Sequence, residues 1–152
     1  MGSGMLDKGD EILMYYAGYS HTHREGGRKR KPRSGGVGMV RLRKDGFAAQ
    51  RFGHSGGVLE TVPVKVEGGL LKLNMDAGAG GRLKVELRGE RGGPLRDYTA
   101  AGCETLWAND TDRTVSWNGK ADLSGLRGKK VRLRFTGKSA KLYSFRFADK
   151  GE

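Results

Sequence analysis

Cysteine, proline and long apolar runs are all scarce in this chain of 152 residues. The single cysteine, Cys103, excludes an internal disulfide, so the fold depends on its hydrophobic core alone. We expect Cys103 to be a small buried residue, because a catalytic thiol needs a neighbouring base and no histidine lies near it in sequence. No run approaches the roughly 18 apolar residues of a membrane-spanning helix, so no membrane partner is predicted.

Helical patterns are scarce as well, and glycine is abundant instead. Only the segment 121–126 favours a helical turn, and nearby glycines limit its length. The 27 glycines supply the positive φ angles that tight turns need. Short segments between them alternate apolar and polar residues, as Val131, Leu133 and Phe135 do with the arginines between them. This pattern is typical of an antiparallel β-sandwich or barrel.

Alternation and turn residues together predict the order of the strands. The segment 11–18 is apolar on both faces, which is typical of a strand covered on both sides. The turn Lys44-Asp45-Gly46 predicts a β-hairpin over 37–52. The strands predicted after it are 58–66, 69–75, 82–88, a looser stretch at 98–107, 113–117, 130–136 and 141–147.

We therefore predict an all-β fold, an antiparallel and jelly-roll-like β-sandwich that is preceded by a β-hairpin. Residues 1–9 are expected to be a tag or a disordered start, because the opening five residues are typical of a cloning linker followed by a chosen start. Residues 10–53 are expected to hold the first strand, a basic loop and the hairpin. Residues 54–148 are expected to form the sandwich.

Positive charge is concentrated in one loop. The formal net charge of +12 attracts nucleic acid, acidic glycans or anionic membranes without choosing among them. The candidate polyanion-binding residues of the loop are Arg24, Arg28, Lys29, Arg30, Lys31 and Arg33. The loop lacks the aromatic residues that stack single-stranded bases, so nucleic acid is not the expected partner and a solvated loop is the simplest interpretation. The other lysines and arginines have the pattern of ordinary solvent-facing positions.

Two tryptophans are candidates for stacking on sugar rings. Trp117 follows Val115 in strand phase, which favours a place in the core. Trp107 lies in an irregular segment with polar neighbours whose side chains can hydrogen-bond hydroxyl groups. The predicted carbohydrate-binding residues are therefore Trp107, Tyr98, Asn109 and Asp110.

Metal ligands are sparse. Oxygen ligands in sandwich loops suit a hard cation, which makes a structural calcium ion a candidate. The aspartates that would hold it are Asp76, Asp110, Asp112 and Asp122. His21 and His23 have the i, i+2 spacing of one strand face, but no third ligand lies near them. We predict no other cofactor and no catalytic residues, because acidic residues are few and none lies in an evident apolar pocket.

Several segments, taken in order, resemble the end of a glycoside hydrolase. Ile12-Leu13-Met14-Tyr15-Tyr16-Ala17-Gly18, followed by 36–47 with its closing Lys-Asp-Gly-Phe, resembles the last strands of the β-propeller in families 32 and 43. The segments 57–64 and 69–77 resemble the β-sandwich that follows the propeller. So do Val115-Ser116-Trp117-Asn118-Gly119 and the closing Leu142-Tyr143-Ser144-Phe145. The resemblance extends from Asp10 to the end of the sandwich.

This resemblance implies a non-catalytic part of such a protein, because the family's catalytic carboxylates lie on earlier propeller blades. It implies a secreted or periplasmic parent protein, with a polysaccharide or the parent's catalytic domain as partner. The leading function is therefore a non-catalytic accessory domain that binds carbohydrate. The alternatives are polyanion binding through the basic loop and a purely structural or oligomerisation module. Unpaired strand edges around 12–16 make a homodimer a candidate.

Overall fold

The computed structural model describes residues 4–20 and 34–151. These residues are nearly all β, and every strand pairing among them is antiparallel, which confirms the predicted all-β class. The strands are β1 (Met5–Asp7), β2 (Glu11–Tyr19), β3 (Gly35–Arg43), β4 (Gln50–Phe52), β5 (Gly57–Glu60), β6 (Val64–Lys65), β7 (Leu70–Asp76), β8 (Arg82–Gly89), β9 (Asn109–Thr114), β10 (Lys130–Lys138) and β11 (Ala140–Ala148). Two single 3-10 turns lie at Arg96–Tyr98 and Ser124–Leu126, the second inside the predicted helical turn. The chain divides into two compact units, Met1–Phe47 and Ala48–Glu152.

The first unit is a three-stranded sheet in the order β1-β2-β3, which we call the ribbon. β2 and β3 pair along their whole length, from Glu11 opposite Arg43 to Tyr19 opposite Gly35. β1 pairs with β2 where the sequence predicted a disordered start. Leu13 is buried, whereas Tyr15, Tyr16 and Tyr19 are exposed. The expectation that 11–18 is covered on both sides is therefore wrong for its second half, because the described residues of this unit form a single sheet.

The predicted hairpin over 37–52 is wrong in its second half, which pairs with a different strand. The turn itself forms, since the Gly46 amide donates to the Arg43 carbonyl at 2.9 Å. The sandwich is preceded by an antiparallel strand pair, but that pair is β2 with β3. β4 pairs with β11 in the second unit, where Phe52 is buried in the core. The turn sequence alone favours pairing of β3 with the residues that follow it. Pairing of β3 with the nine residues of β2, together with burial of Phe52 in the core, outweighs this local preference.

The second unit has two antiparallel sheets. In the β10 sheet, β10 is central, with β8 on one side and β5 and β6 end to end on the other. The β11 sheet has the order β4-β11-β7-β9. The turn between β10 and β11 is a single residue, Ser139, with φ 47°, and it takes the chain from one sheet to the other. The result is a sandwich-like fold. The finer jelly-roll connectivity stays a prediction.

The core of the second unit is built from the inward residues of both sheets. Val131, Leu133 and Phe135 of β10 are fully buried, as their alternation predicts. The Phe135 ring packs against Phe145 of the other sheet, with ring centroids 5.9 Å apart. Other core residues are Phe52, Val66, Leu71, Leu73, Met75, Leu83, Val85, Leu87, Leu106, Val115, Trp117 and Leu142. Burial of this many apolar side chains gives the second unit a core of its own.

Some predicted strand bounds are wrong. The segment 58–66 is divided into β5 and β6 by Thr61, Val62 and Pro63. The stretch 98–107 holds only isolated bridges, Leu106 with Leu83 and Cys103 with Trp117. β9 lies at Asn109–Thr114 rather than 113–117, because pairing with β7 fixes a segment that has no apolar alternation of its own.

Candidate functional site

Trp107 lies at a corner between the two sheets. Leu106, just before it, is buried and pairs with Leu83 of β8 through two backbone hydrogen bonds of 2.9 Å. The Ala108 carbonyl, just after it, accepts from the Ala77 amide at 2.9 Å, and β9 of the other sheet then begins. Trp107 itself is 72% exposed. The buried Leu106 and the hydrogen-bonded Ala108 carbonyl therefore fix the backbone on both sides of Trp107, while its indole is exposed to solvent.

Trp117 is in the core, as predicted. It is 2% exposed, and its Nε1 donates to the Val85 carbonyl at 2.9 Å. The Tyr98 ring meets it edge-on, with centroids 5.3 Å apart, and the Tyr98 hydroxyl donates to the Asp122 carbonyl at 3.2 Å. Desolvation, followed by the charges of two nearby aspartates, raises the pKa of Tyr98. The Tyr98 ring therefore packs on Trp117, and the contribution of Tyr98 to a sugar site stays a prediction.

Asn109 and Asp110 begin β9, two and three residues after Trp107. Asn109 is opposite Asp76 of β7, and Asp110 is opposite Met75. One carboxylate oxygen of Asp110 accepts from the Asp112 amide at 2.8 Å, which fixes the side chain next to the backbone. Two of the predicted polar groups therefore follow the exposed indole directly along the chain.

The aspartates predicted as calcium ligands contact their own chain. Asp112 accepts from the Lys72 ammonium at 2.7 Å and from the Arg146 guanidinium at 2.8 Å. Burial acts to raise the pKa of Asp112, but these two cations lower it below its ordinary value. Asp122 hydrogen-bonds Ser124, and Asp76 accepts from the Gly78 amide. In residues 4–20 and 34–151, no three His, Cys, Asp or Glu side chains come together as a metal cluster.

Cys103 is buried, which confirms the expectation from its sequence context. Its sulfur accepts from the Val85 amide at 3.3 Å and donates to the Glu104 carbonyl at 3.2 Å. Burial raises the pKa of the Cys103 thiol. A neutral thiol held in the core is a structural group and not an activated nucleophile.

The predicted polyanion-binding loop, Arg24 to Arg33, lies outside the described residues, and so do His21 and His23. A different concentration of positive charge is present on the outer side of the β10 sheet, and we call it the basic face. Its cationic residues are Lys65 of β6, Arg82, Lys84 and Arg88 of β8, and Lys130, Arg132, Arg134 and Lys138 of β10. Its carboxylates are Glu60 of β5 and Glu86 of β8.

Sequence reasoning missed the basic face because each of its residues looked like an isolated solvent-facing position. Alternation does indicate that Arg132 and Arg134 point outward. It does not indicate which residues of other strands lie beside them, since register depends on the tertiary pairing. The only available signal was the repeated choice of Lys or Arg at alternate positions of β8 and β10.

Comparison with protein-family models, with curated proteins and with solved structures finds no match to this chain. In the part of the chain that the structure describes, no helix has the length and apolar character needed to cross a membrane.

Proposed function

We propose that the protein is a non-catalytic β-sandwich accessory domain that binds carbohydrate at Trp107. The observation that carries the proposal is the exposure of this indole in a unit whose other tryptophan is buried. The face of an indole packs well against the CH groups of a sugar ring, and its N–H is a hydrogen-bond donor. Asn109, which follows on β9, adds an amide at the same corner.

The order of motifs that resembles the end of a glycoside hydrolase of families 32 and 43 supports the same proposal. On this proposal the domain serves a secreted or periplasmic parent protein, and its partners are a polysaccharide and the parent's catalytic domain. The described residues offer a rigid platform for a binding site, because Leu106 and Trp117 anchor the segment on each side of Trp107 in the core.

A second candidate function is oligomerisation through the ribbon. Its two faces carry exposed apolar side chains, with Tyr16, Met39 and Val40 among them. Exposed apolar side chains on neighbouring strands favour association. Light scattering of the full chain at increasing concentration tests this function, and a mass that stays monomeric at all concentrations would contradict it.

The carbohydrate proposal is tested by affinity gel electrophoresis in gels that contain neutral or acidic polysaccharides at moderate salt. We expect retardation of the native chain that is lost in Trp107→Ala. Phe47→Ala is the matched control, because Phe47 is another highly exposed aromatic residue but lies in the ribbon unit. Equal retardation of Trp107→Ala and the native chain in every gel would contradict the proposal.

A further inference from the structure

The outer side of the β10 sheet has cations directly opposite one another on neighbouring strands. Arg82 of β8 is opposite Lys138 of β10, and Arg88 is opposite Arg132. On the other side of β10, Lys65 of β6 is opposite Lys130. Like charges at directly opposed positions destabilise a sheet. An anion that lay across the strands would remove this repulsion.

Internal carboxylates neutralise the middle of this surface and also Lys130, which pairs with Glu90 at 3.5 Å. Glu60 pairs with Arg88 at 3.1 Å and with Arg134 at 3.5 Å. At the two ends, the side chains of Lys65, Arg82 and Lys138 have no carboxylate partner among the described residues. Positive charge is therefore left available where β8 begins and β10 ends, and again beside β6.

On the β11 sheet, the opposed cations do have acidic partners. Its opposed cations Lys72 and Arg146 share the carboxylate of Asp112, at 2.7 and 2.8 Å. Lys141, opposite Arg51 on one side, is opposite Asp76 on the other. The first of these cationic pairs contacts a carboxylate and the second has an acidic residue in register, whereas the pair Arg82 and Lys138 has neither among the described residues.

The available charge at Arg82 and Lys138 lies next to the exposed indole. Leu83 pairs with Leu106 across the edge of β8, and both side chains point into the core. Arg82 precedes Leu83 and Trp107 follows Leu106, so the alternation of strand side chains sets both on the outer side of that edge. An aromatic surface and two cations are thereby joined at one corner of the sandwich.

We propose that this corner binds an acidic polysaccharide, with Trp107 stacking on a sugar ring while Arg82 and Lys138 bind its carboxylate or sulfate groups. The proposal rests on the carbohydrate-binding function given above and names the class of its ligand. Cations continue along β10 from Lys138 to Lys130, a distance of about 27 Å at the usual rise per residue. A track of this length suits an extended polymer better than a small anion.

Nucleic acid fits this surface less well. Single-strand binding uses several aromatic side chains on which successive bases stack. The outward residues that form the basic face on β6, β8 and β10 include no aromatic side chain, and Trp107 stands alone at one end. A surface with cations along its strands and one aromatic ring at the end is expected to bind a charged sugar polymer.

The test is affinity gel electrophoresis of the full chain at low and moderate salt with polygalacturonate, heparin and a neutral glucan. We expect the double variant Arg82→Gln/Lys138→Gln to weaken the affinity for at least one acidic polymer about tenfold or more. Polygalacturonate and heparin distinguish carboxylate from sulfate as the bound group. The same variant should keep its melting temperature or raise it, because a repulsive pair is removed.

The matched control is Arg51→Gln/Lys141→Gln, which neutralises directly opposed cations on the β11 sheet. It should keep nearly all of the affinity. Equal losses in the two double variants would overturn the proposal, since they would indicate general attraction to the net charge. Tighter binding of oligothymidylate than of either acidic polymer would overturn the polysaccharide assignment.

The result for the neutral glucan separates this inference from the proposed function. If Trp107→Ala abolishes all binding while Arg82→Gln/Lys138→Gln spares the glucan and loses the acidic polymers, both proposals hold. If Trp107→Ala binds every polymer normally, the proposed function is wrong. If Arg82→Gln/Lys138→Gln binds acidic polymers normally while Trp107→Ala does not, only the present inference is wrong.

Discussion

The two units of this chain differ in how far they bury their apolar residues. In the second unit, inward residues of two sheets face each other, and side chains such as Leu133 and Phe135 are inaccessible to solvent. In the ribbon, Leu13 is the one apolar side chain that the described residues bury, and it is still 9% exposed. The first unit has one sheet of three strands and the second has two sheets of four strands each, and a core forms only between two layers.

The difference teaches that strand pairing and core formation are separable. The ribbon has complete backbone pairing between β2 and β3, with Tyr16 lying over Gly38 and Tyr19 over Gly35. Such aromatic contacts cover a glycine in a neighbouring strand and help to hold the register. They add little burial, so we expect the stability of the protein to reside in residues 48–151.

The largest expected effect is that of Trp117→Ala in the second unit. It removes the buried indole, its hydrogen bond to Val85 and its contact with Tyr98. We expect a loss of about 3–5 kcal/mol in the free energy of unfolding, as for other large core truncations. Urea unfolding followed by far-UV circular dichroism measures it. Trp107→Ala is the control and should stay within about 0.5 kcal/mol.

A smaller effect is expected of Gly137→Ala on β10. A Cβ at this position would lie 2.6 Å from Cγ of Phe52 and 2.9 Å from a methyl of Leu83, both of which are buried. Overpacking of this kind costs about 1–3 kcal/mol. Gly125→Ala, where a Cβ meets nothing within 4 Å, is the control in the same urea experiment. Equal midpoints for the two variants would show that the core is looser than described.

A pH-dependent effect is expected of Asp112→Asn on the β11 sheet. The pKa of Asp112 is lower in the folded chain than in the unfolded chain, because Lys72 and Arg146 outweigh the effect of burial. Its contribution is therefore complete above the unfolded pKa and is lost as pH falls through the folded pKa. The carboxylate is partly exposed, so we expect only about 0.5–1 kcal/mol at pH 7. Urea midpoints that differ equally at pH 7 and pH 2.5 would contradict this assignment.

The smallest effect is expected of Tyr16→Ala in the ribbon. Tyr16 is exposed and packs over Gly38 of the same ribbon. The unfolding of the second unit, followed by the fluorescence of buried Trp117, should therefore change by less than about 0.5 kcal/mol. A loss above about 1.5 kcal/mol would mean that the ribbon unfolds together with the core, and the comparison between the two units would fail.

Much of the second unit could be predicted from sequence. Alternation identified the inward residues of β7, β8 and β10, because one face of each strand is apolar and the other polar. It failed for β9, whose sequence Asn-Asp-Thr-Asp-Arg-Thr has no apolar face and which is a strand only through its pairing with β7. It also failed for 47–52, where a good turn sequence is followed by a strand of the other unit.

The candidate site was only half predictable. The exposure of Trp107 followed from its place in an irregular, polar segment. The opposition of Arg82 and Lys138 did not, because 55 residues of chain separate them and register between distant strands leaves no local signal. The contact between Tyr98 and Trp117 was unpredictable for the same reason, since nothing near Tyr98 in sequence indicates that Trp117 is its neighbour.

The most direct test of the account is acrylamide quenching of tryptophan fluorescence during a titration with polygalacturonate or heparin. The chain has two tryptophans, and only Trp107 is accessible to a neutral quencher. We predict that a saturating acidic polysaccharide shields this indole and lowers the quenching constant, and that Arg82→Gln/Lys138→Gln requires more polymer for the same shielding. An unchanged quenching constant with both polymers would contradict the claim that Trp107 is the binding surface.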